Sequence, residues 1–248
     1  MVLKRKKTRD YSKESKIFRG VLDEKTSLSL YWLLNKMQIS LESIVKEGKE
    51  SVVFSGLDKE GKWVAIKVYR TEAMNFKNVS RYLIGDPRFG KTPASKRKFI
   101  YIWCRREFKN LQIAFNGGVN CPKPLAFFEN ILVMSFIGEN GEVAPRIVDC
   151  KLEKPKEVYL SVIEEMRKMS RSGLVHGDLS AYNILLLENP VLIDFSHATT
   201  KNNPMALELL ERDIKNINSY FSKFNIPLIS QEILFKEFIE LLGVKKDV

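Results

Sequence analysis

The chain has 248 residues and a hydrophobic content of 44%, enough to bury a sizeable core as one two-lobed domain or two small ones. Lys and Arg outnumber Asp and Glu by 41 to 30, a net charge of +11 that favours polyanions, nucleotide phosphates first and RNA second, with solvated lysines as the plain alternative. No apolar run approaches the roughly 18 residues of a membrane span, and the basic N-terminus has no signal-peptide core, so a cytoplasmic protein without membrane contact is expected.

Residues 1–20 carry Lys4, Arg5, Lys6, Lys7, Arg9, Lys13, Lys16 and Arg19 against Asp10 and Glu14, the composition of a solvated or RNA-contacting arm. Asp23 and Glu24 then open an amphipathic helix with Leu30, Leu33, Leu34 and Met37 on its apolar stripe. From 41 to 70 the period shortens to that of a three-stranded meander. In its third strand, Val64, Ile66 and Val68 share one face, and Trp63, Ala65, Lys67 and Tyr69 share the other. A lysine inside Val-Ala-Ile-Lys suits phosphate binding; a protective edge-strand lysine is the alternative. The turn Gly48-Lys49-Glu50-Ser51 offers backbone amides and a hydroxyl for phosphate oxygens.

Residues 70–98 have little periodicity and are strongly basic through Arg81, Arg88, Lys91, Lys96, Arg97 and Lys98, which reads as a long loop that contacts RNA, masks the site or is simply mobile, with contact to a partner slightly favoured. Ile100, Trp103, Cys104, Phe108, Leu111, Ala114 and Phe115 make the next helical stripe. Glu107 falls on its inward face, where a carboxylate needs a partner, and Lys67 is the obvious one. A second hairpin, 125–128 with 131–137, completes five strands. Gly138-Glu139-Asn140-Gly141 follows as a hinge, with backbone near Ser135 and Ile137 suited to an adenine edge. A helix through Tyr159, Val162, Ile163, Met166 and Met169 leads to the most informative stretch.

That stretch runs from Leu174 to Asp194. Asp178 stands in a Gly-flanked loop, Asn183 follows five residues later, and the apolar runs 184–187 and 191–194 flank Glu188-Asn189-Pro190 as a buried hairpin. A turn centred near Asn189 sets 184 opposite 194, bringing Asn183 beside Asp194 with Asp178 close by. Two carboxylates and an amide oxygen suit Mg²⁺ and a hydroxyl acceptor; a solvated turn before a core hairpin explains the apolar runs but not these polar residues. Asn203-Pro204 then reads as a helix start, and a last helix spans 230–243. Three widely spaced cysteines, Cys104, Cys121 and Cys150, fit neither a disulfide framework nor a zinc site.

With Lys67, Glu107, Asp178, Asn183 and Asp194 in that order, the chain resembles a protein kinase in shortened form, since only 195–248 follow Asp194. Gly48-Lys49-Glu50-Ser51, Val133-Met134-Ser135-Phe136-Ile137-Gly138, Leu192-Ile193-Asp194-Phe195-Ser196 and Leu210-Glu211-Arg212-Asp213-Ile214 are similar to motifs of the RIO family of atypical serine kinases, its Rio-one subfamily in particular, in a compact archaeal-type form. The resemblance implies an α+β, truncated two-lobed kinase-like fold: a basic arm and accessory helix (1–40), a five-stranded antiparallel N-lobe with one helix (41–138, its flexible loop at about 71–98) and a mainly helical C-lobe with a catalytic hairpin (139–248). It further implies that Asp178 is catalytic and that Asn183 and Asp194 hold Mg²⁺, with Mn²⁺ as an alternative. Asp194 is also a transient phospho-acceptor in some members. Lys67 with Glu107, and Gly48, Lys49, Glu50 and Ser51, would grip the ATP phosphates, while Met134, Ser135 and Ile137 form the hinge. The implied activity is autophosphorylation on serine with ATP hydrolysis, in maturation of the small ribosomal subunit, whose rRNA-containing precursor would be the partner. The competing readings are a small-molecule phosphotransferase of the aminoglycoside or choline kinase type, and a nucleotide-switched assembly factor.

Overall fold

A computed structural model describes residues 21–71, 86–89 and 95–244. The basic arm 1–20 and most of the expected flexible loop, with Arg81 and Lys91, lie outside the described residues.

The first helix, α1 (Glu24–Met37), starts where the Asp23 carboxylate accepts the Thr26 N–H at 3.1 Å and stops at Gln38 in the left-handed conformation. Strands β1 (Ser40–Glu47), β2 (Ser51–Leu57) and β3 (Trp63–Tyr69) form the meander, and β4 (Pro124–Phe128) with β5 (Ile131–Ser135) forms the second hairpin. All pair antiparallel in the order β1-β2-β3-β5-β4. β3 is therefore central, which removes the edge-lysine alternative for Lys67.

Alternation along β3 gives the sheet two buried faces. Val64, Ile66 and Val68 join Phe54, Val133 and the α1 residues Leu30, Leu33 and Leu34 in one apolar cluster. Tyr69 and Leu132 face the other way, into the cluster built on α2 (Lys96–Asn116), with Trp103, Cys104 and Leu111. Helix α2 begins earlier than the apolar stripe suggests, because the Ser95 hydroxyl accepts the Lys98 N–H and caps it there.

The hinge expected at Gly138–Gly141 contains a small hairpin, β6 (Gly138–Glu139) with β7 (Glu142–Val143). Asn140 and Gly141, at φ 52° and 82°, supply the two left-handed residues of such a turn, a signal present in the Asn-Gly pair itself. The second lobe holds α3 (Pro155–Arg171), β8 (Leu174–Val175), β9 (Ile184–Leu186), β10 (Pro190–Leu192), β11 (Thr199–Thr200), α4 (Ala206–Phe221) and α5 (Gln231–Leu242). Its core is continuous with the α2 side of the sheet through Tyr159, Met166, Phe195, Ile214, Phe221 and Phe238. Helix α4 starts at Ala206, not at Asn203-Pro204. The Asn203 side chain is engaged in a local turn, accepting the Met205 N–H and donating to Thr199 Oγ1, each at 2.9 Å.

Helix α1 is thus part of the N-lobe core. Leu34→Ala, at a position 1% exposed, should destabilise the protein by about 2–5 kcal/mol. Urea unfolding checks this: an unchanged midpoint would mean that α1 docks without supporting the sheet.

Candidate active site

In the hairpin that follows the Asp178 loop, Ile184 pairs with Leu192 and Leu186 with Pro190, so the turn is centred on Glu188, one residue before the expected position. Pro190, which has no N–H to donate, occupies the first position of a strand and not the turn. Asn183 therefore lies opposite Ile193, whose N–H donates to the Asn183 carbonyl at 3.0 Å, and Asp194 is one residue further on. Asp194 leaves the ladder at φ 64°, a left-handed backbone that costs on the order of 1–3 kcal/mol and persists only where neighbours enforce it.

Those neighbours are identifiable. Lys67 Nζ donates to Asp194 Oδ1 at 2.9 Å and to Glu107 Oε1 at 2.8 Å, and the Ser196 hydroxyl donates to Asp194 Oδ1 at 2.8 Å. Lys67 and Glu107 are buried, whereas Asp194 keeps 42% of its side-chain surface open to the cleft. Burial opposes the Lys67 ammonium, but the Asp194 and Glu107 carboxylates outweigh it and raise its pKa. Burial likewise works against ionised Asp194, yet Lys67 and the Ser196 hydroxyl hold its carboxyl well below the usual range. Glu107 is pushed up by burial, with Lys67 opposing, and also accepts from the Tyr69 hydroxyl. Tyr69 shares its strand face with Lys67, so alternation alone could have flagged it.

Asp178 sits at the mouth of the cleft. Asn183 Nδ2 donates to its backbone carbonyl at 2.8 Å and reaches its Oδ2 at 3.4 Å. Asp178 is itself exposed, but partial desolvation by its surroundings and the charge of Asp194 raise its pKa, against Arg212 and Asn183. The cleft itself encloses about 410 Å³, within the range of small-molecule sites. Of the expected binding residues, Gly48, Ser51, Lys67, Glu107, Met134, Ser135, Ile137, Asn183 and Asp194 line it; Lys49 and Glu50 are exposed outside it, and Asp178 stands beyond its rim. At the hinge, the Ser135 N–H donates to the Lys123 carbonyl and the Ile137 carbonyl accepts from Ala144, so half of the expected backbone groups are already engaged.

Several supporting residues had no role in the sequence reading, although Asp213 stands in one of the motifs quoted there. The buried Asp213 carboxylate accepts the Gly177 and Leu179 N–H groups at 2.7 and 2.8 Å, clamping the loop on both sides of Asp178. From α2, Arg106 Nη1 donates to the Ser196 carbonyl at 2.8 Å, and Asn110 Nδ2 donates to the Phe195 and Ala198 carbonyls at 3.0 and 2.6 Å. Arg106 is itself paired with buried Asp86, which also holds Arg88. Arg88 and Arg97, counted above as loop cations, are therefore partly neutralised, Arg97 by Asp23. Arg106, Asn110 and Asp213 all lie on inward helical stripes, the same signal that singled out Glu107. The two histidines are both packed here: His176 Nε2 meets the Ile193 carbonyl at 3.1 Å, and His197 Nδ1 lies 3.2 Å from the Ser196 hydroxyl.

The RIO domain family matches residues 52–234. The RIO-type serine/threonine-protein kinase Rio1 of Haloferax volcanii is 36% identical over 230 residues, covering 88% of this chain and 79% of the relative. The protein of the same name from Methanocaldococcus jannaschii is 40% identical over 222 residues, covering 88% and 75%. Among solved structures, a Rio2 kinase from Chaetomium thermophilum, in an ADP/Mg²⁺-phosphoaspartate complex, aligns with a TM-score of 0.67 over 88% of this chain and 71% of that one, at 22% identity. It supports the fold, which is the two-lobed α+β kinase arrangement.

Burial lowers the pKa of both His176 and His197 to about 4. Between pH 6.5 and 4 the unfolded chain takes up protons that the folded chain refuses, so these groups withdraw stability as pH falls through that window. Asp213, raised by burial to about 7, acts in the opposite sense. Ring-proton NMR separates them: both histidines should remain neutral down to about pH 5, and a midpoint near 6.5 for either would contradict the packing.

Proposed function

Because this chain belongs to the RIO family of serine/threonine-protein kinases, we propose that its cleft binds ATP with Mg²⁺ and transfers the γ-phosphoryl group to serine, its own included, in cytoplasmic maturation of the small ribosomal subunit. One observation carries the reading: Lys67 on the sheet is held between Glu107 of α2 and Asp194 of the catalytic hairpin, at 2.8 and 2.9 Å, inside a cleft of nucleotide size. Kinases require this strand–helix ion pair together with a metal-binding Asp.

The chain's residues fit the ion. Asp194 stays ionised and uses Oδ1 for Lys67 and Ser196, which leaves Oδ2 as a hard ligand; Asn183 donates through Nδ2, which leaves its amide oxygen. One carboxylate, one amide oxygen and phosphate oxygens make a set that Mg²⁺ accepts, and Mn²⁺ favours the same donors. When bound, the ion would neutralise charge developing on the phosphoryl oxygens. Lys67 orients the α/β-phosphates, and the Gly48–Ser51 turn closes over them, with Lys49 and Glu50 contributing backbone only. Ser135 C=O and Ile137 N–H, beside Met134, remain for the adenine edge. Asp178, with its raised pKa, receives or orients the acceptor hydroxyl proton. Asp194 is in addition our candidate for transient acyl-phosphate formation, by analogy with the phosphoaspartate of the Rio2 complex. The functional units are then the arm and accessory helix 1–40, whose helix packs into the core of the N-lobe 41–138, and the C-lobe 139–248, and the macromolecular partner is an rRNA–protein particle.

Asp178→Ala should lower phosphoryl transfer by about 10²–10⁴-fold and leave nucleotide affinity nearly intact, since Asp178 does not line the cleft. Mass spectrometry after incubation with Mg-ATP, alongside nucleotide titration, checks both. Equal loss of the two would reassign Asp178 to holding the loop. Saturable phosphorylation of an aminoglycoside or of choline would replace the protein-kinase reading.

A further inference from the structure

A second cavity of about 400 Å³ lies between the 86–89 turn and α2, lined by Arg88, Phe89, Arg105, Lys109, Gln112, Ile113 and Asn116. Arg105, Lys109, Gln112 and Asn116 recur every three to four residues and so form one stripe of the helix, roughly 160° around from Glu107. The helix carries one carboxylate, Glu107, which is buried on the opposite face; the outer stripe has cations and amides and no acid. The only acidic residue of the facing turn, Asp86, is buried and neutralised by Arg88 and Arg106.

Each wall offers a different chemistry. Arg105 and Lys109 are exposed i, i+4 neighbours, about 6 Å apart at Cβ, within reach of neighbouring phosphates on one strand. Phe89 is half-buried with the Arg88 guanidinium 5.1 Å from its ring centre, which fixes the ring as an aromatic shelf for a flat ligand. The Arg88 guanidinium is held by both Asp86 carboxylate oxygens, at 2.9 and 2.6 Å, and by Asn110 Oδ1 at 2.9 Å, so it is fixed in place and braces the Phe89 ring. Gln112 and Asn116 present side-chain amides, which match the edge of a base. Lys109 Nζ meets Gln112 Oε1 at 3.1 Å, a contact that an incoming phosphate can replace.

We propose that this groove on the outer face of α2 binds single-stranded RNA, with Arg105 and Lys109 on the phosphates, Phe89 under a base and the Gln112 and Asn116 amides at its edge. A phosphopeptide would use the cations but has no need of a stacking shelf flanked by amides. A duplex keeps its bases stacked and out of reach of a recess this size. The assignment is independent of the phosphoryl-transfer reading, because Glu107 and the nucleotide cleft lie on the other side of the helix.

The test is fluorescence anisotropy of a short labelled single-stranded RNA with the full chain, over a range of salt. Arg105→Ala with Lys109→Ala should weaken binding at least tenfold and reduce the log–log salt slope by roughly 1.4, the loss of two single-strand phosphate contacts. Phe89→Leu keeps apolar bulk but removes the ring; it should weaken binding by roughly fivefold or more with the slope unchanged. Mg-ATP turnover of the Arg105/Lys109 double variant should equal that of the parent, so loss of RNA binding is read separately from the chemistry. Equal weakening by Lys151→Ala with Lys156→Ala, two exposed lysines far from the groove in the sequence, would reduce the binding to general charge and overturn the assignment. A phosphoserine peptide bound more tightly than the RNA would also overturn it, making the groove a protein-docking site.

Discussion

The ammonium of Lys67, enclosed between the carboxylates of Glu107 and Asp194, joins three segments far apart in the sequence: the centre of the sheet, the middle of α2 and the exit of the β9–β10 hairpin. With only 7% of its side chain exposed, the cation is largely stripped of water and depends on both carboxylates for its hydrogen bonds. Moving α2 outward, or turning Asp194 away, therefore strands a charge. The sheet order serves this constraint. With β3 central and Val64, Ile66 and Val68 held against α1, the opposite face has no freedom to carry Lys67 anywhere but toward α2.

Around that charge trio, α2 acts as more than the bearer of Glu107. Arg106 and Asn110 grip the carbonyls of residues 195–198, the stretch that follows Asp194, and Asp213 of α4 grips the amides on both sides of Asp178. Each of these supports is a buried polar side chain satisfied by backbone groups that no secondary structure uses. They brace the backbone around Asp194 and fix the loop on both sides of Asp178. The local geometry is thus dictated by side chains from two helices and not by the loop's own sequence.

The fold was largely legible from residue patterns, for physical reasons. Alternation in Trp63–Tyr69 fixed the two faces of β3, and the inward Glu107 pointed to Lys67, because a carboxylate on an apolar stripe has few solutions. Boundaries set by capping side chains were harder: Ser95 starts α2 before its apolar stripe, and Asn203 delays α4 because its amide is captured by Thr199 and Met205. The hairpin register slipped by one because Pro190 can open a strand as well as form a turn. The supports escaped for a different reason. Arg106, Asn110 and Asp213 bind backbone carbonyls and amides, and a backbone group looks the same at every position in a sequence. Only the folded chain reveals which of them lie within reach.

The hold of α2 on residues 195–198 also bears on pharmacology. Compounds that require this helix to swing aside, or Asp194 to flip out of the cleft, would have to break the Arg106 and Asn110 hydrogen bonds and expose the lysine between its carboxylates. Molecules designed around such rearranged states should discriminate against this enzyme. Those shaped to the cleft between Met134 and Asp194 would find its walls already in place.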